Sequence, residues 1–170
     1  MMQERNGIIT MKGNPLTLLG PETKTGQTAP DATVVANDLS EVKLSAFKGK
    51  KRILSVVPSL DTAVCDIQTK KFNEEAGKLG PNVQILTISM DLPFAQKRWC
   101  GAASVSNLQT LSDHRDASFG TAYGVLIKGL RLLARAVFVI DEKDKITHVQ
   151  IVKEVTQEPD YQAALEALKS

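Results

Sequence analysis

Cysteine is scarce in this chain, with two residues, Cys65 and Cys100, among 170. A disulfide-stapled secreted scaffold needs several pairs in a short chain, so that class is excluded. Aromatic residues are few, at 5%, and no apolar run nears the roughly eighteen residues of a membrane-crossing helix. Histidine occurs twice, as His114 and His148. The spacings 35, 14 and 34 that separate Cys65, Cys100, His114 and His148 match no common zinc module. An excess of one charge is also missing: 21 basic and 19 acidic residues leave +2, which argues for neither nucleic acid nor a membrane surface. The densest basic cluster, Lys48 to Arg52, reads as a solvated turn before a strand. The first residues carry no apolar stretch and no small-residue cleavage site, so they do not read as a secretory leader. A cytoplasmic setting is therefore expected. There, two cysteines are catalytic, metal-binding or inert rather than structural.

What is present is an ordinary globular composition, 42% hydrophobic and 24% charged, in a length that suits one domain over residues 1–170. Ile8–Lys12 and Pro15–Leu19 flank the turn pair Gly13-Asn14 and predict a β-hairpin. Residues 20–31 read as a loop, followed by short strands near 33–37 and 42–44. The run 52–57 predicts a buried strand, 64–79 a helix with Phe72, Ala76 and Leu79 on its core face, and Val83–Ser89 the next strand. Strand, helix and strand within about forty residues read as a βαβ unit with parallel neighbours. Pro93 starts a second helix that runs to about Gly101. Short elements follow at 108–111 and 119–123. Ala136–Ile140 and 146–152 then form an antiparallel hairpin, and 159–169 closes as a helix. This order predicts an α/β, thioredoxin-like fold with an added N-terminal β-hairpin.

The segment with the most chemistry is Pro58-Ser-Leu-Asp-Thr62-Ala-Val-Cys65. It places a thiol on the first turn of a helix just beyond a strand. Free N–H groups and the positive end of the helix dipole favour thiolate there. An unperturbed thiol is about 3% ionised at pH 7, whereas one with a pKa of about 6 would be about 90% ionised. Thr62 lies where a hydroxyl can cap the helix through its second or third N–H, which would bring that hydroxyl near the sulfur. Pro58 stiffens the approach and offers no N–H. Taken alone, Cys65 reads as a packing residue, because free cysteine is among the most buried residue types. Arg135 precedes the strand 136–140, at the strand-end position where α/β folds place sites. Nothing intrinsic separates it from Arg52, Arg98 and Arg131, and each alone reads as solvated.

The combination Pro58-x-x-x-Thr62-x-x-Cys65 resembles the peroxiredoxin signature. Further stretches resemble the bacterial thiol peroxidase branch: Phe47-Lys-Gly49, Lys71-Phe-Asn73, Asp91 to Gln96, Arg98-Trp-Cys-Gly101, Ala122-Tyr-Gly124, Leu133 to Ala136 and Glu158-Pro-Asp-Tyr161. The likeness covers nearly the whole chain. One departure is Ala63, where many relatives carry proline or glycine. The resemblance implies that Cys65 attacks a peroxide and becomes a sulfenic acid. Thr62, Arg135 and nearby backbone N–H groups would bind the peroxide, and Pro58 would shield the sulfur. Cys100 would resolve the sulfenic acid as an intrachain disulfide, which thioredoxin reduces. It further implies hydrogen peroxide and alkyl hydroperoxides as substrates, a homodimer, and no metal, haem or flavin. Two other classes compete: a thiol–disulfide exchange protein, which usually carries Cys-x-x-Cys, absent here, and a redox-regulated binding or chaperone module.

Overall fold

The computed structural model describes residues 2–169. The chain opens with β1 (Glu4–Met11) and β2 (Asn14–Leu19), an antiparallel pair. The turn between them is Lys12-Gly13, with φ of 51° and 81°, and Asn14 already pairs with Met11. The expected turn pair Gly13-Asn14 is thus displaced by one residue. A two-residue hairpin turn needs positive φ at both central positions, and Gly13 supplies the second without strain. Next come β3 (Thr33–Val35), β4 (Glu41–Lys43) and a 3-10 turn at Leu44–Phe47. The central unit follows: β5 (Lys51–Val56), α1 (Ala63–Ala76), β6 (Val83–Ser89), α2 (Pro93–Ala102) and β7 (Gln109–Ser112). The remainder is α3 (Ser118–Ala122), β8 (Leu126–Ile127), β9 (Leu132–Leu133), β10 (Ala136–Ile140), β11 (Ile146–Ile151) and α4 (Tyr161–Ala167).

Seven strands form one sheet in the order β11-β10-β5-β6-β7-β3-β4. Strands β5, β6 and β7 are parallel, whereas β10 runs antiparallel to β5. The fold is the expected thioredoxin-like α/β arrangement. Four strands form a second sheet in the order β1-β2-β8-β9. The hairpin therefore does not stand alone. Strands β8 and β9 escaped the sequence reading because two residues hold no periodicity.

Both faces of the central strands are buried, which is why β5 and β6 read as nearly unbroken apolar runs. Leu54, Val56, Leu86, Ile88, Leu111, Phe138 and Ile140 line one face. On the other, Ile53, Ile85, Val137 and Val139 pack against Phe72 of α1 and Ala164 of α4. Phe72 has no exposed surface. Truncating a phenylalanine so placed costs about 3–5 kcal/mol. This second face changes character toward the strands' C-terminal ends. Ser55, Thr87 and Thr110 sit side by side in register across β5, β6 and β7, and all three are buried.

Helix α1 ends at Ala76, three residues before the expected limit. Beyond it, Lys78 and Leu79 donate to the carbonyls of Glu75 and Ala76, which tightens the chain into turns ahead of Gly80-Pro81. The basic cluster also differs from expectation at its end. Arg52 is 2% exposed and forms an ion pair with Asp144 of the β10–β11 turn. Strand β5 carries it inward, and its partner lies 92 residues away. No helix among the described residues is long and apolar enough to cross a membrane.

Candidate active site

Strand β5 delivers the chain to Pro58 and a short loop that opens α1. Asp91, just beyond β6, pins this loop: Ser59 Oγ donates to it at 2.7 Å and the Leu60 N–H at 2.8 Å. Ser89 Oγ donates to the same carboxylate at 2.7 Å. Thr62 is the N-cap residue in extended conformation, with φ −114° and ψ 149°. Its hydroxyl does not cap the helix, contrary to the sequence expectation. It donates instead to the Ser59 carbonyl at 3.1 Å, which also accepts the Thr62 N–H at 3.3 Å. A threonine hydroxyl can bond a nearby backbone carbonyl in place of capping, and here the carbonyl three residues back takes it.

Cys65 is the third residue of α1 and has no exposed surface. Its sulfur accepts a hydrogen bond from Arg135 Nη2 at 3.3 Å. Arg135 is held on every edge of its guanidinium. Nε donates to the Val155 carbonyl at 2.8 Å and Nη1 to Gln68 Oε1 at 3.0 Å. Gln68 in turn donates to Ser55 Oγ at 2.9 Å. The structure thus separates the four arginines that sequence could not: Arg135 is 2% exposed and touches Cys65, Arg52 is buried elsewhere, and Arg98 and Arg131 are exposed. A groove of about 270 Å³ opens over the first turn of α1, lined by Met11, Pro58, Thr62, Leu132, Arg135 and Val155. Its walls are largely aliphatic, and the N-terminal hairpin supplies one of them.

The segment that carries Val155 is itself anchored. Glu154 accepts from Thr10 Oγ1 at 3.0 Å, from the Gly13 N–H at 2.9 Å and from the N–H and hydroxyl of Thr156 at 2.9 Å and 2.8 Å. These bonds, led by the Thr156 N–H, hold its carboxyl down at about 2. The hairpin therefore braces the loop that fixes Arg135.

Cys100 lies apart from this cluster. It is half-buried near the end of α2, and its sulfur faces Thr110 Oγ1 of β7 at 3.6 Å. Burial pushes the Cys100 thiol up. Both cysteines are free thiols. The neighbouring Trp99 points elsewhere, because consecutive helical residues are about 100° apart. Trp99 packs against Val57, Leu60 and Cys65, and its indole N–H donates to Asp66 of α1 at 3.0 Å. Helix α2 thus touches the Cys65 site through Trp99, while Cys100 turns to the sheet.

Gln68, Ser55, Trp99 and the Val155 carbonyl were not foreseen. Gln68 carried a signal, since it lies three residues after Cys65 on the same helix face. Ser55 carried a weaker one, as the single polar residue in an apolar run. Neither histidine hydrogen-bonds a cysteine among the described residues, and no group of three potential ligands there could hold a metal ion.

The redoxin family pattern matches residues 24–165. A thiol peroxidase from Halalkalibacterium halodurans is 62% identical over 95% of this chain and 97% of its own length. The chain belongs to the thiol peroxidase branch of the redoxin family. The thiol peroxidase of Bacillus subtilis is 57% identical over 95% of this chain and 96% of its own. Among solved structures, a peroxiredoxin-like protein from Aquifex aeolicus superposes with a TM-score of 0.89 at 44% identity, covering 99% of this chain and 97% of that one. A thiol peroxidase from Chromobacterium violaceum shares the fold at a TM-score of 0.84 and 18% identity, covering 95% of this chain and 94% of that one.

Proposed function

We propose that this chain is a thiol-dependent peroxidase, one domain over residues 1–170, in which Cys65 is the nucleophile and Cys100 resolves its oxidised form. The observation that carries the reading is the Arg135 guanidinium on the Cys65 sulfur at the start of α1. A fixed positive charge and a helix N-terminus both favour the anion that attacks peroxide. The thiolate attacks one peroxide oxygen and the O–O bond breaks. The sulfur becomes a sulfenic acid, and the departing oxygen takes a proton and leaves as water or an alcohol. Arg135 and N–H groups of the first helical turn stabilise the departing oxygen as its charge develops. Thr62 and Pro58 line the groove together with Arg135, whose guanidinium reaches the sulfur. The aliphatic walls suit alkyl hydroperoxides as well as hydrogen peroxide.

Cys100 then attacks the sulfenic sulfur, an S–S bond forms, and the sulfenic oxygen leaves as water. The disulfide closes a loop of about 36 residues, worth about 3–4 kcal/mol against the unfolded state before strain. Its Cα atoms must come within about 7 Å, so α2 must leave its seat on β7. Thioredoxin returns both thiols by dithiol–disulfide exchange. No metal or organic cofactor takes part. The setting is the cytoplasm, where thioredoxin is kept reduced. A homodimer would cover exposed apolar side chains on the two cysteine-bearing helices, Ile67 at 42% and Phe94 at 65% exposure.

The test is loss of cumene hydroperoxide with thioredoxin, thioredoxin reductase and NADPH, followed by mass mapping of the cysteines. Sustained turnover with a Cys65–Cys100 disulfide is expected. No turnover, with both thiols free after peroxide, would return Cys65 to a packing role.

A further inference from the structure

The Cys100 sulfur is tied to a chain of two polar side chains. Thr110 Oγ1 lies 3.6 Å from the sulfur and donates its own proton to Asn37 Oδ1 at 3.1 Å. A hydroxyl has one proton. With that proton given to Asn37, Thr110 offers the sulfur lone pairs alone, so the remaining hydrogen bond needs a proton on the sulfur. Asn37, two bonds removed, therefore governs which form of Cys100 the site accepts.

The surroundings favour the same form. An open pocket of about 500 Å³ over this face is lined by Asn37, Ser40, Cys100, Val105 and Thr110 among others. The charged groups nearby are Asp38 in the turn after β3 and Lys97 one turn earlier on α2, which attract each other. Strand β7 and residues 104–108 carry no charge. On α1, Asp66 is paired with Lys70 at 2.8 Å. No cation lines the pocket to do for Cys100 what Arg135 does for Cys65.

We propose that Asn37 and Thr110 are positioning residues that hold Cys100 as a hydrogen-donating thiol against β7 until α2 leaves its seat; the inference rests on the resolving role of Cys100 given above. A protonated thiol is a poor nucleophile. Held this way, Cys100 reacts slowly with stray oxidants. It gains ordinary thiol acidity only when released to water, which is also when it can reach Cys65.

The experiment follows the pH dependence of iodoacetamide alkylation in Cys65→Ser, where Cys100 is the single thiol. Asn37→Ala frees the Thr110 proton to donate to a thiolate. Alkylation at pH 7 is expected to rise about three- to tenfold, the equivalent of a midpoint lowered by about half to one unit. Asn37→Asp still accepts the Thr110 proton and adds negative charge, so its midpoint is expected to rise. A merely loosened pocket would move both variants in the same direction, toward faster alkylation. Thr110→Ser in the same background keeps both hydrogen bonds and is expected to retain the parent midpoint. An unchanged midpoint in Asn37→Ala, or a lowered one in Asn37→Asp, would overturn the proposal. No peroxide is used, so this outcome is independent of turnover. Absent turnover in the unmutated chain would fail the peroxidase reading and leave the alkylation result standing.

Discussion

Cys65 and Cys100 occupy opposite ends of their helices. Cys65 is the third residue of α1, fully buried, with a guanidinium on its sulfur. Cys100 is two residues from the end of α2, half-buried, with a neutral hydroxyl on its sulfur. A helix favours negative charge at its start and disfavours it at its end. Burial pushes the Cys100 sulfur toward the thiol form. At Cys65 the Arg135 guanidinium donates to the sulfur instead. Position along a helix and one buried cation thus set apart two chemically identical groups.

Removing either sulfur breaks the comparison most sharply. Cys65→Ser is expected to abolish peroxide consumption, because a serine hydroxyl is not ionised near neutral pH. A rate near that of the unmutated chain would end the assignment. Cys100→Ser is expected to consume about one peroxide per chain and then stall with thioredoxin, read as burst amplitude against protein concentration. Sustained turnover would mean that another thiol resolves the sulfenic acid. Making Cys65 resemble Cys100 is the next step down. Arg135→Ala removes the cation and should slow the first step about 10²- to 10³-fold, measured by rapid mixing with hydrogen peroxide. Gln68→Leu leaves Arg135 in place but strips the bond that orients it. About 1–1.5 kcal/mol is at stake for one such hydrogen bond, or roughly a tenfold slower first step, with the affinity for peroxide little changed.

The mildest change tests the remote brace. Glu154 is held down to about 2 against an ordinary 4.5. Its folded value is depressed, so the stability it contributes is present above the unfolded value and is lost as pH falls toward the folded one. Acid titration followed by circular dichroism should show stability declining from about pH 4.5 toward pH 2. Glu154→Gln should flatten that decline, and an equally steep one would assign it to other carboxylates.

The readable parts of this molecule are those whose cause is local. Pro58, Thr62 and Cys65 lie within eight residues, and the strand-to-helix transition around them shows in the shift from an apolar run to helical spacing. Strands β6 and β10 came out with their observed limits because their apolar runs are bounded by turn residues. Arg135 lies 70 residues from Cys65, and no periodicity connects the two; family likeness alone pointed to it. Arg52 reads as solvated for the same reason, since its acidic partner is more remote still in sequence. Thr62 failed differently. Two hydrogen bonds were open to one hydroxyl, and composition does not say which carbonyl or N–H lies nearer. Asn37 and Thr110 had no signal at all, because a polar residue beside a strand is ordinary until its neighbour across space is known.

The row of Ser55, Thr87 and Thr110 bears on how the sheet would fare if α2 left its seat, as the proposed disulfide requires. Ser55 is bonded to Gln68 on the Cys65 side and Thr110 to Cys100 on the other, while the Thr87 hydroxyl between them has no partner. A floor of leucine and isoleucine at this spot would cling to both helices, and once bared it would stick to any passing chain. Three hydroxyls wet readily. Ser55 and Thr110 can trade a protein contact for a water molecule at little net loss, and Thr87 would gain a partner. The strip beneath the cysteine helices is thus suited to being uncovered and covered many times without fouling, while the aliphatic half under Phe72 keeps the domain shut.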